Sequence, residues 1–232
     1  MNAPVTAFIQ PLNEQNKFLI RYFTTQTEIN ACGHATLGAA HVVFSKYSIE
    51  RAIFITNNYT EIESTLKHGL PSINYSSYRL IDYHQAELFS RALGINFSLY
   101  TGYCKELETL FIELESATEL ITIKPDFDAL KNISNGVHEV VITSRSQNDY
   151  YDFLLRSFCP WIGINEDPVT GSVHAALGPY WKNKLNKPNL KAFQASDRGG
   201  DVYLEVSDSS VRLSGQVKTI TRRQEDVKGL SI

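Results

Sequence analysis

Short runs of β-branched and aromatic residues, bounded by polar ones, recur along the chain at Phe18–Phe23, Ala52–Thr56, Glu139–Thr143, Val202–Val206 and Val211–Gly215. Runs of this length and make-up predict strands. Ser207-Asp-Ser-Ser210 joins the last two, and such small polar residues favour a tight connection, so these two form a predicted hairpin in a largely antiparallel sheet. Two other segments, Gly33–Phe44 and Gly171–Trp181, are small or apolar around most of a helical circumference, which predicts buried helices. A third, Ala86–Leu93, has mixed faces and stops at Gly94, the pattern of a surface helix with a glycine cap.

The two buried helices resemble each other: a glycine, a polar side chain, then alanines and a bulky aromatic end. The similarity predicts an α+β chain of two similar domains, each a curved, mostly antiparallel sheet wrapped around one central helix. We expect the first domain over 1–80 and the second over 81–232, with the last residues returning to the first. Lys67 to Tyr83, carrying Gly69, Pro71 and several serines, is the expected connection.

With 232 residues and 43% hydrophobic content the chain can bury such a pair of cores. The formal charge of −3 and the scattering of 22 Lys and Arg residues leave no basic footprint, so no nucleic-acid partner is expected. No stretch approaches the length of apolar sequence that spans a bilayer, and the start lacks a leader's pattern, so neither a membrane anchor nor export is expected. Cys32, Cys104 and Cys159 are odd in number and lack zinc-site spacing, which fits reduced thiols in a cytoplasm and no metal.

Helix amino termini present unpaired N–H groups and partial positive charge, and glycine lets an anion come close to them. N–H groups near Gly33 and Gly171 could therefore grip one anionic ligand between two domains; alternatively these glycines only allow tight strand-to-helix turns. Asp167, followed by Pro168, is either a helix cap or a carboxylate at the rim of an anion site that exchanges a proton. Ser172 either bonds a ligand carboxylate or caps. His34 titrates near neutral pH and can move a proton, or it is a histidine satisfied in a core turn. Cys32 is either a thiolate activated by the helix start or a buried thiol. His41 and His174 are expected to pack.

Four ordered motifs bring in a resemblance. Phe23-Thr-Thr-Gln-Thr-Glu28-Ile-Asn-Ala-Cys32-Gly-His-Ala-Thr36 resembles the FTPxxE…CGHAT segment of PhzF-like proteins of phenazine biosynthesis. Glu166-Asp-Pro-Val-Thr-Gly-Ser172 and His174-Ala-Ala-Leu-Gly-Pro-Tyr-Trp181 are similar to their EDPVTGSAH…PYW signature. Gln194-Ala-Ser-Asp-Arg-Gly-Gly200 and Val211-Arg-Leu-Ser-Gly215 resemble their QxSxRGG and RVxLxG strands. The resemblance implies the two-domain fold of diaminopimelate epimerase and a small carboxylate between the domains. It also implies no cofactor or metal, a homodimer, and proton-transfer chemistry of the kind that isomerises a dihydro-hydroxyanthranilate. Carried over by motif, His34 and Asp167 would be catalytic, with Gly33, Gly171 and Ser172 binding substrate. A hot-dog fold wrapped on one helix is set aside by the four motifs together.

The departures matter as much. Cys32 matches a catalytic thiol of related amino-acid epimerases, but the second thiol position falls at or beside Asp167. The family's N-x-S-E-T-A-F segment, whose glutamate shuttles the proton, corresponds to Asn2-Ala-Pro-Val5-Thr-Ala-Phe8, which puts Val5 at the glutamate position. The expectation is isomerase activity that is weak or lost. The family's leading strand and helix, with a GNPAAV-like segment, are also expected to be missing, leaving an edge or core face for a dimer partner, a separately made fragment or a local rearrangement to cover.

Overall fold

In Lys17–Phe23 the side chains of Phe18, Ile20 and Tyr22 are buried while their neighbours are at most half-buried, the period-two signature of a strand packed on one face. The computed structural model describes residues 5–25, 27–133 and 135–221. Asn2 to Pro4, and the final residues expected to return to the first domain, lie outside them.

The first half runs β1 (Thr6–Pro11), β2 (Lys17–Phe23), β3 (Glu28–Ile29), α1 (Gly33–Tyr47), β4 (Arg51–Ile55), β5 (Glu61–Lys67) and β6 (Leu70–Ser76). The second runs β7 (Ile81–Asp82), α2 (Glu87–Leu93), β8 (Tyr100–Cys104), β9 (Thr109–Leu114), α3 (Ala117–Thr122), α4 (Phe127–Lys131), β10 (Glu139–Arg145), β11 (Phe153–Phe158), α5 (His174–Leu185), β12 (Asn189–Gln194), β13 (Gly200–Val206) and β14 (Ser210–Ser214). All strands belong to one 14-stranded sheet, continuous in the order β1-β2-β4-β5-β6-β14-β13-β12-β11-β10-β9-β8-β7, with β3 attached to β2. The pairings are antiparallel except β2·β4, β9·β10 and β11·β12. This is the expected α+β architecture, a large curved sheet with few helices.

The segment expected to be a connection corrects that reading. Leu70–Ser76 is strand β6, paired antiparallel with β5 and β14, so it is where the sheet passes from one half to the other. Pro71 and the serines hid it. Pro71 sits in the first pairs of the β5–β6 hairpin, and buried Ser72 and Ser64 satisfy each other's strands through hydroxyl bonds, Ser64 Oγ donating to the Ser72 carbonyl at 2.8 Å.

α1 packs Ala39, Ala40, Val43 and Phe44 on the first half's sheet and turns Leu37 into the other half's core. α5 packs Ala176, Leu177 and Trp181 on the second, where Trp181 stacks on Phe153 at 5.3 Å and its Nε1 donates to Thr143 Oγ1. Two features seat α5. A Cβ on Gly178 would meet Val211 and Val206 at 3.1 and 3.2 Å, so glycine permits the close approach to β13 and β14. Pro179 inside the helix cannot donate to the Ala175 carbonyl. That carbonyl instead accepts from Tyr78 N at 2.8 Å, tying the chain just after β6 to the second half's helix.

β9 and β11 are buried along their whole length because α2, α3 and α4 cover the sheet face opposite α5. α2 ends on Gly94 in the left-handed conformation (φ 71°), as its pattern predicts. His174 is fully buried, whereas His41 is half-exposed and reaches Thr219 at 3.3 Å, so only the first is a packing histidine. Among the described residues no helix is long and apolar enough to cross a membrane, and no group of three His, Cys, Asp or Glu is arranged to hold a metal.

Candidate functional site

The starts of the two central helices touch. A Cβ on Gly33 would lie 3.0 Å from Gly171 Cα and 2.6 Å from the Tyr75 hydroxyl, and one on Gly171 would lie 3.1 Å from Gly33 Cα. Few real Cβ atoms approach backbone that closely, and the Tyr75 hydroxyl would have to move for a Cβ on Gly33, so glycine at both positions eases the meeting of the two backbones. α1 begins at Gly33 itself; α5 begins at His174, one tight turn later than expected, with His174 N and Ala175 N donating to the Gly171 and Ser172 carbonyls. The N–H groups of Gly171, Ser172 and Val173 have no backbone acceptor among the described residues, which leaves donors at this junction for an anion.

Gly33, His34, Asp167, Gly171 and Ser172, the five residues expected at a site, line one cavity of about 290 Å³ between the halves. That size suits a small ligand. A second cavity of about 380 Å³, along α1, β13 and β14, shares His34, Thr170 and Gly171 but reaches neither Asp167 nor Ser172, so it is the former that gathers all five expected residues.

His34 Nδ1 lies 2.9 Å from the Val169 carbonyl, which can only accept, so Nδ1 carries the hydrogen. Nε2, 3.4 Å from Cys32 Sγ, is then the nitrogen free to take a proton. Burial pushes the Cys32 thiol up to about 12, so it is not an activated thiolate. Asp167 is not the helix cap that Asp-Pro suggested. Val173 occupies the cap position, and Asp167 Oδ2 instead accepts from Thr170 Oγ1 at 2.5 Å.

The loop carrying Asp167 is held from both ends. Glu166 and the mostly buried Arg156 form a two-pronged pair at 2.8 and 2.9 Å, and Arg156 also donates to the Leu120 and Ile123 carbonyls. Buried Gln194 accepts from Thr170 N and donates to the Asp167 carbonyl, both at 2.7 Å. Ser196 Oγ donates to the Pro168 carbonyl, and Gly200 lies so close to Val169 that a Cβ there would be 2.4 Å away. The Gln194–Gly200 motif is thus a clamp on the Asp167 loop, a role its spacing alone did not reveal.

Val5 faces the same cavity, as do Tyr75, Glu139 and Cys159, none of the last three anticipated from the sequence as site residues. Glu139 accepts from Ser157 Oγ at 2.5 Å and contacts Thr109 Oγ1 at 3.1 Å. Burial, helped by the charge of Asp167, raises its carboxyl to about 7 against those hydrogen bonds. Burial likewise pushes the Cys159 thiol far up. Among the described residues no Lys or Arg lines the cavity.

The model of the family described as phenazine biosynthesis-like protein matches residues 1–223. An uncharacterized isomerase of Halalkalibacterium halodurans is 36% identical over 228 residues, 97% of this chain and 83% of that protein. A phenazine biosynthesis PhzC/PhzF protein of Clostridium difficile superposes with a TM-score of 0.85 at 30% identity, covering 97% of this chain and 84% of the other. A predicted epimerase of Pseudomonas aeruginosa, 16% identical over 95% of this chain and 86% of that one, shares the fold with a TM-score of 0.67.

Proposed function

Because this chain belongs to the phenazine biosynthesis-like PhzC-PhzF family, we propose that it is an isomerase or epimerase that moves a proton on a small carboxylate held between the starts of α1 and α5. The observation that carries this reading is the meeting of Gly33 and Gly171 at one cavity that His34, Asp167 and Ser172 also line. With no Lys or Arg lining the cavity among the described residues, the N–H groups of the two helix starts and the Ser172 hydroxyl are the anion's donors. His34, its Nδ1–H fixed on the Val169 carbonyl, presents Nε2 as base, and Asp167 is the second proton carrier.

General acid–base catalysis typically contributes about 10²–10⁴ in rate, which the Val5 side chain cannot supply, so the activity is weak. A half-buried Cys32, whose thiol is pushed up to about 12, and the carboxylate at Asp167 argue against a two-thiol racemase. No cofactor or metal belongs to the reading. It also includes a cytoplasmic homodimer of two similar halves, 1–80 and 81–232: the three cysteines are free, and edge strand β1 turns an exposed Phe8 outward against Phe23.

A second reading, a non-catalytic protein that binds a small acid, is favoured by Val5 alone. Solvent deuterium incorporation into small amino and cyclic carboxylates separates the two: catalytic turnover supports the isomerase, whereas binding with no exchange by the wild type supports the non-catalytic protein.

A further inference from the structure

We propose that Glu139 is a proton-exchanging carboxyl of this cavity, held protonated on the wall that faces the two helix starts and able to deliver its proton to the bound carboxylate substrate. The inference rests on the proposed function for its substrate, but its geometry is independent of it.

Three observations converge on Glu139. First, among the described residues it has no Lys, Arg or His partner, in contrast to Glu166, which Arg156 neutralises through two bonds. A carboxyl enclosed without a cation is stabilised in its neutral form. Second, Thr109 Oγ1 lies 2.9 Å from the Leu107 carbonyl and 3.1 Å from Glu139 Oε2. A hydroxyl has one hydrogen, and the carbonyl can only accept. Thr109 therefore shares its single hydrogen between the Leu107 carbonyl and Oε2, which leaves the carboxyl less fully hydrogen-bonded than an undivided donor would. Third, among the described residues the ionisable groups sharing the cavity are Cys32, His34, Tyr75, His138, Cys159 and Asp167, with no Lys or Arg. An anionic ligand beside two carboxyls is compatible with that set only if one of them holds a proton. Asp167 and Glu139 each accept from one hydroxyl at 2.5 Å, from Thr170 and Ser157, so these hydrogen bonds do not separate the two carboxyls, and it is burial that favours a protonated Glu139. The raised carboxyl, near 7, agrees.

The chemistry balances with groups already present. His34 Nε2 takes a proton from a substrate carbon while that C–H electron pair shifts into the adjoining double bond. The Glu139 O–H gives a proton to the carbon at the far end of the shifted system. The imidazolium and the carboxylate left behind return to their starting states by losing and gaining one proton to water. Glu139 thereby stands in, from the opposite half, for the acid that Val5 cannot provide.

The test is a carbon-13 titration of carboxyl-labelled glutamate in the full chain, with the Glu139 signal assigned by its loss in Glu139→Gln. A midpoint near 7 that rises further when 2-aminobenzoate is added is expected, because a bound anion disfavours the charged form. A midpoint in the ordinary carboxylate range, or one that 2-aminobenzoate leaves unmoved, overturns the proposal. Deuterium incorporation into the best substrate found provides the second readout. Glu139→Gln should slow it about a hundredfold and remove the limb of the pH profile near 7, and well below pH 7, where both side chains are neutral, 2-aminobenzoate affinity should stay within about twofold. Wild-type rates and profile in Glu139→Gln overturn the proposal. If the wild type exchanges nothing, the isomerase reading fails by itself, while a ligand-coupled midpoint near 7 still supports a proton-holding Glu139 in a binding site.

Discussion

Gly33 Cα and the Cβ position of Gly171 are only 3.1 Å apart, so the starts of the two central helices meet backbone to backbone with the Tyr75 hydroxyl beside them. Adding one methyl at either glycine must push the halves apart. Gly33→Ala and Gly171→Ala should each cost about 1–3 kcal/mol in urea unfolding and abolish binding of small carboxylates. Gly38→Ala is the control: nothing lies within 4 Å of its Cβ position inside α1, and the change should stabilise by about 0.5–1 kcal/mol.

Gln194→Leu leaves the Thr170 N–H and the Asp167 carbonyl without their buried partners. A loss of about 1–3 kcal/mol is expected, together with weaker ligand binding, because Asp167 is no longer held in place. Unfolding and calorimetric titration on one sample check both; unchanged affinity would show that the clamp does not position the site.

Arg156 should behave as a structural group. Arg156→Ala strands Glu166 and two carbonyls in a largely buried place and should cost about 3–5 kcal/mol, while Arg156→Met combined with Glu166→Met restores most of that stability. Thermal unfolding of the three proteins decides it.

Glu139 gives a pH signature. Its carboxyl stands near 7 in the folded chain against an ordinary value of 4.5, so between those values the folded state binds more protons than the unfolded one. Stability from this group is therefore present below pH 4.5 and lost as pH rises to 7, by up to roughly 3 kcal/mol. Glu139→Gln, which has no charge to bury, should be more stable than the wild type at pH 8, with the gap closing below pH 5; thermal unfolding across that range is the measurement.

Much of this was legible in the sequence, for local reasons. Gly33 and Gly171 each precede a run of small residues long enough to show a buried helix, and Gly94 ends α2 as its chemistry requires. α3 and α4 were missed although both carried a cap: Ser116 accepts from Glu119 N, and Asp126 from Ala129 N. A search for an Ser-x-x-Glu start would have found the first. β6 was hidden because Pro71 and Ser72 read as a loop, and it is its pairing with β5 on one side and with β14, more than a hundred positions away, on the other that makes it a strand. Glu139 had no local signal at all. It stands at the head of an ordinary strand, and its neighbours Thr109, Ser157 and Asp167 come from three separate elements.

The central claim is that this cavity moves a proton with His34 and without the usual glutamate. Its most direct test is solvent deuterium incorporation into a panel of small amino and cyclic carboxylates by the wild type, Val5→Glu and His34→Asn. The account predicts slow exchange by the wild type, faster exchange by Val5→Glu, whose side chain faces the cavity, and none by His34→Asn. Exchange by His34→Asn at the wild-type rate, or no exchange by either the wild type or Val5→Glu, would contradict it.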